Sequence, residues 1–148
     1  MATNQYEKRV DQLNSFLRGE LSAVQTYGIA LDKIDRGSTT RQTLETCQLS
    51  HARRVAALTR RIAELGGKPA EGSGPWGAFA KAVEHSASVL GEKTAISALE
   101  EGEDHGLHDY QDDLDKLDAD ARQIVVTELL PEQQRTHQAL STLKKQLH

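Results

Sequence analysis

Four residues of this 148-residue chain place metal-ligating side chains on otherwise apolar stripes, and they come as two acid-then-histidine pairs: Glu20 with His51, and Glu103 with His137. One pair lies in each half of the chain. Each acid opens the same local pattern, a small residue three positions on and a tyrosine seven positions on: Ala23 and Tyr27 after Glu20, Gly106 and Tyr110 after Glu103. Each histidine closes a Gln-x-x-His, formed by Gln48 and His51 and by Gln134 and His137. Carboxylate and imidazole together suit iron, manganese or zinc. Two carboxylates neutralise one divalent ion. A second ion would leave uncompensated positive charge in a low-dielectric interior.

The elements that must position these residues read as long helices. Glu20 falls on a stripe of Val10, Leu13, Leu17, Val24, Tyr27, Leu31 and Ile34, whose steps of three and four mark one buried helix face. Asn4 and Glu7 suggest a capping box at its start, and Gly37 suits a left-handed residue just past its end. Thr39 and Gln42 suggest a second start. The next stripe is Leu44, Gln48, His51, Val55, Leu58, Ile62 and Leu65, with Arg53, Arg54, Arg60, Arg61 and Glu64 assigned to the opposite, solvated face. Gly66-Gly67 stops that helix.

Residues 66–75, rich in glycine and proline, read as a crossover, and Trp76, Phe79, Val83 and Leu90 predict a short helix over about 76–90. A third long helix carries Ile96, Leu99, Glu103, Leu107, Tyr110, Leu114 and Leu117. Asp118 is the expected cap of a fourth, which Pro131 should kink or restart. Its assigned core face is Leu130, Gln134, His137, Leu140 and Leu147. The expectation is a single domain over 1–148: an all-α antiparallel four-helix bundle of two hairpins joined by a crossover, plus one short extra helix.

Bulk composition narrows the function. A formal charge of −4 offers no basic surface for nucleic acid. No apolar run reaches membrane-spanning length. The N-terminus lacks a signal-peptide pattern and Cys47 is the sole cysteine, so a cytoplasmic setting is expected. The partner expected is a second copy of the chain, with Trp76 and Phe79 anchoring either the bundle or a homo-oligomer interface. No phosphate-binding loop, nucleophile elbow or Cys-x-x-Cys pair is present.

The order of these residues resembles the ferritin-like superfamily, whose carboxylate-bridged metal sites draw one Glu from each of two helices and a Glu-x-x-His from each of the other two. The segments Leu-Gly-Gly-Lys-Pro, Gly-Pro-Trp-Gly and Leu-Leu-Pro are similar to a group of small bacterial ferritin-like domains of unknown function. The resemblance implies that Glu20, His51, Glu103 and His137 are metal ligands, with Tyr27 and Tyr110 beside them. Gln48 and Gln134 stand where the bridging glutamates belong, and an amide is a weak ligand that cannot bridge. Three readings follow. One is a non-catalytic protein binding a single divalent ion (Fe, Mn or Zn) at a Glu2His2 site. Another is a metal-dependent oxidase or oxygenase. The third is a metal-free bundle in which Gln48 and Gln134 satisfy the acids by hydrogen bonding.

Overall fold

The stripe through Leu13, Leu17, Glu20, Tyr27 and Leu31 is carried by one unbroken helix, α1 (Ala2–Asp32), whose 31 residues extend about 46 Å at the usual rise. In this computed structural model, residues 2–74 and 91–147 are described, together with Lys81, Glu84 and His85. The end of α1 is held by a side chain: Arg41 Nη1 donates to the carbonyls of Leu31 (2.7 Å), which otherwise has a long turn bond from Ile34 N–H (3.4 Å), and Ile34 (3.2 Å). Gly37 is therefore not needed in the left-handed region, and among the described glycines only Gly66, Gly74 and Gly91 have positive φ.

α2 (Thr39–Glu64) starts one residue earlier than the expected cap, with Ser38 Oγ accepting from the Thr40 amide at 3.1 Å. It ends in a Schellman motif, with Gly66 N–H on the Ala63 carbonyl, Gly67 N–H on the Ile62 carbonyl, and Gly66 at φ 81°. α3 (Glu92–Asp112) leads through a 3₁₀ turn (Leu114–Lys116) to α4 (Ala119–Ile124), whose N-cap is Asp118 as expected: its carboxylate accepts from Ala121 N–H at 2.9 Å. A π-helical turn, Val125–Leu129, then joins α4 to α5 (Leu130–Gln146), with Leu130 N–H donating to the Val125 carbonyl.

That turn sets the rotation of the last helix. Pro131 has no N–H and sits in the first turn of α5, where the loss costs least. The core positions Ala121, Val125, Leu129 and Gln133 follow one another in steps of four, which would swing an ideal α-helix off its face. The widened turn takes up the drift. The buried face of α5 is consequently Gln133, Thr136, Leu140 and Leu143, one residue upstream of the expected Gln134 and His137.

Two hairpins result, α1 against α2 and α3 against α5, packed with α1 on α3 and α2 on α5. Their apolar residues form two clusters. One holds Tyr27, Leu31, Leu44, Ile96, Leu99 and Leu140; the other holds Leu13, Leu17, Leu58, Tyr110, Val125 and Leu129. Glu20, His51, Glu103 and Gln133 fall between them on each helix, so a polar layer divides the core. The order of clusters along each helix gives direction: α2 ends at the second cluster and α3 begins at the first.

The chain must cross the bundle's length between them, and its first part does so along α1. Gly67 lies against Val10, the Asn14 side chain donates to Lys68 O (3.0 Å) and accepts from Ala70 N (2.7 Å), and Gly74 lies against Arg18. The helix expected over 76–90, with Trp76 and Phe79, lies outside the described residues except at Lys81, Glu84 and His85. No strand and no helix long and apolar enough to cross a membrane occurs among the described residues.

Asn14 is only 7% exposed, so Asn14→Ala removes two hydrogen bonds and strands two backbone groups of the crossover. The expected cost is about 1–3 kcal/mol in denaturant unfolding, with faster amide exchange at residues 68–74. An unchanged unfolding midpoint would mean that Asn14 does not hold the crossover.

Candidate functional site

His51, 3% exposed, bridges the two acids. Its Nδ1 lies 2.9 Å from Glu20 Oε2 and its Nε2 lies 2.5 Å from Glu103 Oε1. With a carboxylate on each ring nitrogen, the ring donates from both sides as an imidazolium. Burial alone would lower its pKa, but the Glu20 and Glu103 carboxylates outweigh burial and raise it to about 9. Burial would likewise raise Glu103, yet the charge of His51 and the hydrogen bonds it receives hold it below the ordinary carboxylate value.

The two tyrosines are bonded crosswise. Tyr27 Oη donates to Glu103 Oε1 at 2.7 Å, and Tyr110 Oη donates to Glu20 Oε1 at 3.3 Å. A seven-residue spacing puts each tyrosine about 10 Å along the axis from the acid on its own helix, so the acid it reaches belongs to the neighbouring helix. Burial first, then the adjacent carboxylate, pushes both phenols well above their ordinary range. Cys47, also buried, is pushed up to about 12 by burial and by Glu103, which leaves an inert thiol.

Arg54, assigned from its sequence to a solvated face, is 2% exposed and belongs to this layer. Its position three residues after His51 continues the Leu44, Cys47, His51 stripe toward Leu58. Nη1 donates to Glu20 Oε1 at 3.3 Å and to Gln133 Oε1, while Nη2 donates to Thr136 Oγ1 at 3.1 Å and Ser50 Oγ at 3.2 Å. Gln133 Nε2 donates to the Glu103 carbonyl (2.8 Å) and to its Oε2 (3.0 Å), and Thr136 Oγ1 donates to the same Oε2 at 2.7 Å. Each carboxylate oxygen of Glu103 thus has two donors. Among the described residues no buried side-chain nitrogen or oxygen lacks a partner.

The structure therefore brings Glu20, His51 and Glu103 together with Tyr27 and Tyr110, and leaves the other expected residues outside. His137 lies on the flank of α5, 25% exposed, with Nε2 3.4 Å from Asp104 Oδ1. Gln134 is exposed, and Gln48 donates to the Val24 carbonyl at 3.1 Å without reaching the acids. Gln133 and Thr136 keep the i, i+3 spacing expected of Gln134 and His137, but one residue earlier. The signal for them was the run Val125, Leu129, Gln133, Thr136, Leu140, Leu143.

Between α1 and α3 a cavity of about 140 Å³ reaches this layer, touching Glu20, Tyr27, His51, Glu103 and Tyr110. Among the described residues no group of three or more His, Cys, Asp or Glu side chains is arranged to hold a metal ion.

The family described as a domain of unknown function (DUF2383) matches residues 8–116, well over half of the chain. The chain belongs to that family. No curated protein and no solved structure matches it. The DUF2383 match spans Glu20, Tyr27, His51, Arg54, Glu103 and Tyr110, whereas Gln133 and Thr136 lie beyond it. The layer is thus built mainly within the matched segment of this DUF2383 chain and completed by α5.

A raised imidazole pKa stabilises the fold fully below its unfolded value of about 6.5, and the contribution is lost as pH climbs through about 9. The lowered Glu103 value acts on the other side, with stabilisation present above 4.5 and lost as pH falls through the folded value. Unfolding free energy should accordingly decline between pH 6.5 and 9, by something on the order of 3 kcal/mol. His51→Asn should lower stability and flatten that alkaline limb. A wild-type profile already flat from pH 6 to 9 would exclude the bridging imidazolium.

Proposed function

We propose that this protein is a ferritin-like bundle in which protein charges close the polar centre in place of a metal, a non-catalytic module whose buried ionic layer fixes how the two hairpins meet. The ferritin-like reading draws support from the paired hairpins, the crossover running along α1, and acids of α1 and α3 meeting at mid-length. The metal-free reading rests on one observation, the presence of Arg54 and a doubly bonded His51 between the acids. Two carboxylates, one imidazolium and one guanidinium sum to zero, so the layer is neutral as it stands.

The donor set fits a divalent ion poorly. His51 would have to give up a carboxylate and a proton to present a lone pair, and the ion would share its site with a guanidinium that cannot deprotonate. The residues of α5 facing the acids, Gln133 and Thr136, offer only neutral oxygens. An oxidase or oxygenase needs that same ion with open coordination positions, and the Glu103 oxygens are already taken by four donors.

Protein produced with iron, manganese and zinc supplied should carry only substoichiometric metal by elemental analysis and consume no oxygen on ferrous addition. Arg54→Leu should cost about 3–5 kcal/mol, because it leaves buried negative charge unpaired. Combining Arg54→Ser with Gln133→Glu should create metal uptake that the natural chain lacks. Stoichiometric metal in wild type, lost on Glu20→Ala, would overturn the metal-free reading and restore the single-ion one.

A further inference from the structure

The cavity between α1 and α3 reaches the buried layer, and its two ends differ in chemistry. Its floor is the hydrogen-bonded layer: the Tyr27 and Tyr110 hydroxyls donate to Glu103 and Glu20, and the Glu103 carboxylate already accepts from four donors. Its walls include Phe16, Ala23 and Leu99 beside Ser15 and Thr26, with the Phe16 and Tyr110 rings tilted against each other at 4.8 Å. Its mouth carries Asp109 and Asp113.

Among the described residues no lysine or arginine pairs with Asp109, while Asp113 has one exposed contact, Lys116 Nζ at 3.6 Å. Desolvation at the cavity edge, then repulsion from Asp113 and Asp112, holds Asp109 above its ordinary value, with His105 and His108 partly offsetting it. A positive charge placed there would relieve that repulsion.

We infer that this cavity is a binding site for a small organic cation: a primary amine whose ammonium sits between Asp109 and Asp113 and whose short apolar chain lies along Phe16, Ala23 and Leu99. Size sets the chain length. A cavity near 150 Å³ admits a molecule about as large as benzene, so a volume of about 140 Å³ takes roughly six heavy atoms. At the inner end a second ammonium would meet the imidazolium and guanidinium that already neutralise Glu20 and Glu103. An anion meets two carboxylates at the mouth. A neutral alcohol fills the same space but leaves the rim charges uncompensated.

The test is a titration of the full chain with n-butylammonium chloride, followed by amide chemical shifts and calorimetry, against butan-1-ol and sodium butyrate at constant ionic strength. The amine should bind saturably with shifts centred on residues 16–27 and 99–113, the alcohol at least about fivefold more weakly, and butyrate not at all. Asp109→Asn with Asp113→Asn should weaken the amine about fivefold and leave the alcohol unchanged. Ala23→Leu, which fills the cavity, should abolish binding while the circular dichroism spectrum and thermal midpoint are retained. Equal binding of amine and alcohol, no saturation, or binding that survives Ala23→Leu would overturn the proposal. Stoichiometric manganous ion broadening signals around Glu20, His51 and Glu103 would overturn the metal-free reading; failure of amine and manganese alike would overturn the amine site alone.

Discussion

The contact on which the rest depends is His51 between Glu20 and Glu103. It links three of the helices at one point: α2 supplies the ring, and α1 and α3 supply the acids. Both acids are beyond reach of water, at 4% and 3% exposure, so either one left unpaired would cost several kcal/mol. The imidazolium cannot be drawn from one acid without stranding the other. A slip of any of these helices by one residue breaks a charge pair as well as an apolar contact, whereas leucine against leucine tolerates such slips with modest loss. This is a physical basis for register, and it operates at the junction between the two hairpins.

Arg54 extends the same logic to the fourth helix. One imidazolium cannot neutralise two carboxylates, and α5 brings no charge to the layer. The guanidinium makes up the difference and ties Glu20 to Gln133 and Thr136 in a fan of donors. Arginine suits this position where lysine would not, since its planar fork serves several acceptors at once and keeps its proton when buried. The π-helical turn is the backbone counterpart. Without its extra residue the face bearing Gln133 and Thr136 would rotate away, and Glu103 would lose two of its four donors.

Much of this was readable from the residues. The stripes of α1, α2 and α3 follow steps of three and four without interruption, so their faces, Glu20, His51, Glu103 and both tyrosines, came out of periodicity alone. The hairpins and the crossover followed from where those stripes stop. Arg54 escaped because it stands in an Arg-Arg pair, and basic pairs usually mark solvent. Only its phase with Leu44, Cys47, His51 and Leu58 argued otherwise. Gln134 and His137 were placed on the core face of the last helix because a constant period was carried through Pro131. A π-helical turn shifts the phase by one residue with no change in composition. The residue types around Gln133 and Thr136 look like any polar helix surface, so the error was one of geometry.

The same geometry is what supports the proposed metal-free reading. A carboxylate–imidazole site holds an ion when its lone pairs converge on a common point and its net charge is negative enough to attract one. Here the lone pairs converge on protons. Each acid oxygen already faces a donor from His51, Arg54, a tyrosine, Gln133 or Thr136, and the sum of charges is zero. Substituting one residue does not reverse this. Removing Arg54 restores the charge but not the convergence, because Gln133 and Thr136 still occupy the side of Glu103 that a second ligand pair would need. Making a metal site of such a layer would take coordinated changes on α2 and α5 together.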